Sequence, residues 1–217
     1  MPSEHRHPWF RVEEHERAQH VVGLLDRLRL SWLLAHFPPR IVWAAYVFIN
    51  GFLTIALLAV LAFLTRTPFV FPSLGPTAYL FFFTPLAEAA SPRHAILGHA
   101  VGLVCGYGAY MLTGSHGFAG TALQEAYWPE VLAAALSLAA TGAVMVLLRV
   151  SHPPAGATTL IVSLGILTKV ESLFIIEVAV ILLTAQAWAI NRAAGLDYPL
   201  WEKRPKSLQK MTVFPEN

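Results

Sequence analysis

Two interruptions of one kind, 81 residues apart, constrain this chain more than any other feature. The stretch Ser151-His152-Pro153-Pro154-Ala155-Gly156-Ala157-Thr158-Thr159 lies between long apolar runs, and Phe71-Pro72-Ser73-Leu74-Gly75-Pro76-Thr77-Ala78 echoes it upstream. Setting Pro153 on Pro72 sets Gly156 on Gly75 and Thr158 on Thr77. Proline and glycine break helices. A break at membrane depth leaves backbone groups that need internal partners or a task. Matched breaks in two halves of a chain point to the binding site of a transporter.

The apolar character of the flanking runs places these breaks at membrane depth. Apolar residues make up 56% of the chain, charged residues 13%, and mean hydropathy is +0.56. A soluble domain carries about 25% charged residues, so an all-α polytopic membrane protein is expected rather than a globular enzyme. The net charge of +2 is spread over the flanks of apolar runs. No basic face suited to nucleic acid stands out. Cys105 is the single cysteine and lies in an apolar run, which excludes an intrachain disulfide. Residues 1–40 carry too much charge for a cleaved signal peptide, so the first span serves as the insertion signal. His5, His7, His15 and His20 crowd this segment without metal-ligand geometry, and neither a metal nor a cofactor is expected.

Along the chain, 1–40 is a polar region in which Val21, Leu24, Leu25, Leu28 and Trp32 recur at helical spacing. This amphipathic helix lies either on the membrane or on the protein's own cytoplasmic side. Residues 41–64 contain no charge and exceed the ~20 needed to cross a bilayer. Residues 95–112, 131–148 and 172–190 are three further full spans, and 68–87 and 151–168 are the interrupted segments. Within the first of these, only 77–84 reads as smoothly helical. The order span, break, span occurs twice, giving a membrane domain over 41–192 with repeat units at about 41–113 and 130–192, and a cytoplasmic tail over 193–217.

Re-entrant breaks give four crossings, and fully crossing breaks give six. In both cases the termini share a side, and Arg6, Arg11, Arg17, Arg27, Arg29 and Arg40 make that side cytoplasmic, at the plasma (inner) membrane. The loop 113–130 has Glu125 and Glu130 but no Lys or Arg. The positive-inside rule puts it outside, which favours six crossings and makes the second unit inverted relative to the first.

The run His152-Pro153-Pro154-Ala155-Gly156-Ala157-Thr158-Thr159, with Pro72-Ser73-Leu74-Gly75 upstream and Arg93-His94 opening the next span, resembles the HPP family of integral membrane proteins over about residues 40–192. That family is usually described with four membrane helices. The resemblance implies the fold, and through relatives associated with nitrite transport it implies a small-anion cargo.

The residues themselves suggest how an anion could be held. A helix start leaves N–H groups unpaired and carries about half a positive charge, which makes it a ready anion site. Short helices are expected after Gly75 and after Gly156, with Pro76 in a first turn. The candidate substrate-binding set is Ser73, Gly75, Thr77, His152, Gly156, Ala157, Thr158 and Thr159. The glycines admit a ligand close to the backbone and the hydroxyls donate. The alternative is that these residues only kink and pack helices. His152, Arg149, Glu177 and His99 are candidates for gating or proton coupling. Each has a plainer role: a capping turn for His152, a positive-inside anchor for Arg149, a snorkelling acid for Glu177 and a packing histidine for His99. Glu177 could pair with His99 or Lys169, and Asn50 is expected to cross-link helices. Gly98, Gly102 and Gly106 are spaced for close helix approach, within one subunit or in a homo-oligomer.

Three functions fit: a nitrite-type anion transporter or channel, an intramembrane enzyme using His152, Glu177 and His99, or a membrane sensor or scaffold. The first is expected, with no enzymatic activity, and with the anion and the lipid bilayer as partners.

Overall fold

A computed structural model describes residues 29–67, 69–114 and 128–201. The amphipathic positions 21–28, the N-terminal histidines, Glu125 and most of the tail lie outside these residues. The described residues are helical and form no strand. Four helices are long and apolar enough to cross a membrane: α2 (Pro39–Thr65), α4 (Pro92–Thr113), α5 (Trp128–Leu147) and α7 (Val170–Ala193). Three shorter helices join them: α1 (Leu30–His36), α3 (Leu74–Phe83) and α6 (Ala155–Ser163).

Three of the long helices cover the apolar runs that specify them and extend beyond both ends, while α5 begins three residues earlier than its run and stops one residue short. Proline occupies the first turn of α2 and of α4, where its missing N–H costs nothing. Their far ends stop at Arg66 and Gly114, both left-handed (φ 56° and 64°). Apolar side chains such as Phe48, Phe63, Leu112 and Phe174 stay exposed along the long helices, as a lipid-facing surface requires.

Hydrogen bonds fix the direction of each pass. The start of α2 and the end of α7 share one end of the bundle, called here the near end. Tyr46 donates to Asn191 (2.7 Å) and the Leu30 N–H donates to the Ala194 carbonyl (3.0 Å). The finish of α3 lies there too, because Asn191 donates to the Phe81 carbonyl (3.2 Å) and Trp43 to the Phe83 carbonyl (3.3 Å). The turn Glu88–Ala90 before α4 accepts a bond from Tyr198, which follows α7. Arg93 at the start of α4 donates to the Leu148 carbonyl after α5 (3.4 Å). The chain therefore leaves the near end on α2, returns on α3, leaves on α4, returns on α5, leaves on α6 and returns on α7.

Two of these six passes are made by helices of about 15 Å and 13 Å at 1.5 Å per residue, too short for a ~30 Å hydrocarbon layer. Extended or turning chain completes each pass. α3 and α6 begin one or two residues earlier than the glycines suggest, at Leu74 and Ala155. Gly75 and Gly156 each become the second residue of a helix.

The glycine stripe decides where α6 sits. A Cβ at Gly102 would lie 2.8 Å from the Ala155 carbonyl oxygen, and one at Gly106 would lie 2.7 Å from the Thr159 carbonyl oxygen. At Gly98 it would lie 2.6 Å from the His152 Cβ. The three glycines therefore seat α6 and its preceding turn directly on the α4 backbone within one subunit. The described part of the N-terminal amphipathic region, α1, packs Leu30 against Val42 and Trp43 of α2.

Candidate functional site

The first turns of the two short helices meet inside the bundle, and a histidine from α4 joins them. His99 contacts the Thr77 hydroxyl through Nε2 (2.9 Å) and the Thr158 hydroxyl through Nδ1 (2.7 Å). Thr77 and Thr158 are the pair that the 81-residue repeat aligns. His152, at the break before α6, contacts the same Thr77 hydroxyl through Nε2 (3.3 Å) and the Ala89 carbonyl through Nδ1 (2.8 Å). The Thr77 hydroxyl also lies 3.1 Å from the Ser73 carbonyl. Next to this knot, Thr159 bonds Thr141 of α5 (2.9 Å). Thr77, His99, His152, Thr158 and Thr159 are all buried.

The knot sits about halfway through the bundle. Counting 1.5 Å per residue, Tyr46 is about 10 Å into α2, and Thr77 is about 6 Å beyond Phe81, which shares the Tyr46–Asn191 level. The sum of about 16 Å is near the middle of a ~30 Å layer.

The electrostatics differ from the expectation in one respect. The N–H groups of Ala155, Gly156 and Ala157 donate to the carbonyls of His152, Pro153 and Pro154 (3.0, 2.9 and 3.1 Å). The His-Pro-Pro turn thus satisfies the amides that a helix start leaves free. At α3 the Leu74 N–H donates to Phe71 (3.0 Å), and Pro76 has no N–H to give. Hydroxyls and imidazole are donors at the meeting point, backed by two helix dipoles. A pair of imidazoles with centroids 5.0 Å apart stands between the tips. A cavity of about 870 Å³ opens at the near end, between α1, α2 and α7.

Of the proposed binding residues, Thr77, His152, Thr158 and Thr159 gather at the knot. Ser73 is buried beside it, and its hydroxyl has no protein partner. Gly75 faces open space, with nothing within 4 Å of a Cβ placed there. Gly156 and Ala157 are half-buried, and a Cβ at Gly156 would meet Leu138 at 3.4 Å. Among the coupling candidates, His99 and His152 are adjacent, whereas Arg149 is exposed at the end of α5 with φ 52°. Glu177 pairs with neither His99 nor Lys169: both carboxylate oxygens are buried without a hydrogen-bond partner, and both His99 ring nitrogens are taken by threonines. Asn50 donates to the Tyr46 carbonyl of its own helix (2.8 Å) and cross-links no helices among the described residues. Asn191 does that work, joining α2, α3 and α7.

Sequence reasoning also missed two hydroxyls. Thr54 of α2 and Thr184 of α7 are buried without partners, as Ser73 is. Counted from the Tyr46–Asn191–Phe81 junction, all three lie about 10–12 Å farther from the near end. Only helical phase could have marked Thr54 and Thr184, since each shares a face with the core residues Leu58 and Val180. Among the described residues no cluster of His, Cys, Asp or Glu could hold a metal.

The fold has the form of a polytopic helical membrane protein with two half-length helices meeting inside it. Residues 37–199, well over half of the chain, match the family described as HPP, transmembrane region, and the protein belongs to that family. No curated protein and no solved structure matches the chain at a significant level.

Proposed function

We propose that the protein moves a small inorganic anion across the membrane, nitrite first among candidates, by parting and rejoining the first turns of α3 and α6. One observation carries this reading: two helix starts, aligned by the repeat, meet at half depth around a buried Thr77–His99–Thr158 bridge. Half-length helices whose starts converge midway supply an electropositive focus that lipid or packing alone does not require. The hydroxyls of Ser73, Thr54 and Thr184, buried without partners, support it further, because an unpaired buried hydroxyl costs about 1–3 kcal/mol unless a ligand satisfies it. In this reading the two units are inverted copies, and the structure is a closed state with imidazole where the anion passes. The termini face the cytoplasm at the plasma membrane, the mechanism includes no covalent step, and a homo-oligomer is compatible with it.

Hydroxyls and neutral imidazole suit a monovalent anion, since a full countercharge would hold it too tightly for release. The test is uptake of nitrite, nitrate, chloride and bicarbonate into vesicles containing the purified protein, against protein-free vesicles. Saturable nitrite uptake above background is expected. Background rates for all four anions, from correctly inserted protein, would refute transport.

A further inference from the structure

The hydrogen bonds of the knot admit one pair of histidine tautomers in which every donor has an acceptor, and that assignment is directional. The Ala89 carbonyl can only accept, so His152 carries its proton on Nδ1 and leaves Nε2 as an acceptor. Among the described residues the Thr158 hydroxyl contacts only His99 Nδ1, so it donates there. His99 then carries its proton on Nε2 and donates to the Thr77 oxygen. The single Thr77 proton has two acceptors in reach, the Ser73 carbonyl at 3.1 Å and His152 Nε2 at 3.3 Å. These hydrogen positions are assigned from the network. When Thr77 points at His152, four groups in series donate one to the next, from Thr158 to Ala89. When it points at Ser73, the series is cut in the middle.

We propose that Thr158, His99, Thr77 and His152 form a proton relay through the middle of the bundle, switched by rotation of the Thr77 hydroxyl. The proposal rests on the transport reading and gives it a coupling route. A proton reaching His99 Nδ1 by way of the Thr158 hydroxyl releases the Nε2 proton to the Thr77 oxygen. Thr77 passes its own proton to His152 Nε2. One proton has then entered, one positive charge has moved to the His152 ring, and no bond other than O–H or N–H has changed. His152 Nδ1 delivers its proton when the Ala89 carbonyl gives way to water.

The exit is suited to this task. Ala89 belongs to the Glu88–Ala90 turn at the near end, and the Glu88 side chain is 45% exposed. His94 lies beside it, with Nδ1 bonded to the Glu88 carbonyl (2.7 Å) and Nε2 3.6 Å from its carboxylate. Charged groups near this exit include Arg93 on α4, the exposed Arg149 after α5 and the Arg192–Asp197 pair beside Tyr198, whose hydroxyl bonds the Ala90 carbonyl. On α7, Glu177 is about 21 Å from the Asn191 level, toward the far end, where it faces neither ring of the knot. Of the buried α7 side chains nearer the knot in height, Leu183 and Ala187 are apolar and Thr184 is an uncharged hydroxyl.

The test pairs flux with spectroscopy. Nitrite uptake by protein-containing vesicles is measured with and without an inward proton gradient, with protein-free vesicles setting the passage of nitrous acid through lipid. Acceleration by the gradient is expected for wild type, retained in Thr77→Ser and lost in His99→Gln. Wild-type uptake indifferent to the gradient would overturn the relay and leave transport standing, as would acceleration undiminished in His99→Gln. If wild type moves no nitrite, transport fails and the relay is judged by 15N NMR of the histidine rings in bilayers. A proton on Nε2 of His99 and on Nδ1 of His152 upholds the series, and the same tautomer at both rings overturns it.

Discussion

Thr77 and Thr158 occupy equivalent places in two helices that run in opposite directions, yet one imidazole reaches both. The aligned breaks made this threonine pair legible in the sequence. The role of His99 was not legible, because nothing local distinguishes a bridging histidine from one that fills space. The satisfied amides at Ala155–Ala157 were hidden for another reason: they depend on the turn that Pro153 and Pro154 enforce. Glycine shows the same division at this scale. The stripe at Gly98, Gly102 and Gly106 could be read directly, but its partner could not. Because Gly106 meets backbone at 2.7 Å and Gly75 meets nothing, Gly106→Ala should destabilise the protein by about 1–3 kcal/mol and Gly75→Ala by far less. Thermal unfolding in detergent would show it, and equal effects would mean that α6 does not sit on α4 as described. Asn191→Ala removes two buried bonds and should cost about 1–3 kcal/mol in the same assay.

The four long helices follow from apolar runs of sufficient length, and a proline start and a left-handed stop bound α2 and α4. The short helices were harder to bound. Proline in a first turn looks like an interruption from the sequence, which places the start after Gly75 and makes only 77–84 smoothly helical, whereas Leu74 and Gly75 are already helical. His152 ties the break before α6 to the Glu88–Ala90 turn through the Ala89 carbonyl. His152→Ala should leave that carbonyl unpaired and lower stability by about 1–3 kcal/mol, while His152→Asn, whose amide can donate in place of Nδ1, should recover part of the loss. Unfolding midpoints of the two variants that coincide would remove this tie from the account.

Across the whole molecule, the count of membrane passes divides charge reasoning from helix counting. Four helices have spanning length, but the chain travels between the two ends of the bundle six times, because the segments 66–91 and 148–169 each complete a pass with a half-length helix. In a Cys105→Ser background, cysteines at Ala87 and Leu200 should label from one face of sealed vesicles and a cysteine at Arg66 from the other; all three positions are exposed. Labelling of positions 66 and 87 from the same face would make the first break re-entrant. The two helix starts form the passage itself in the proposed transport. Nitrite uptake by vesicles carrying Thr77→Val together with Thr158→Val, compared with wild type at equal insertion, tests this most directly. Uptake should fall to the level of protein-free vesicles, and uptake at the wild-type rate would contradict the account.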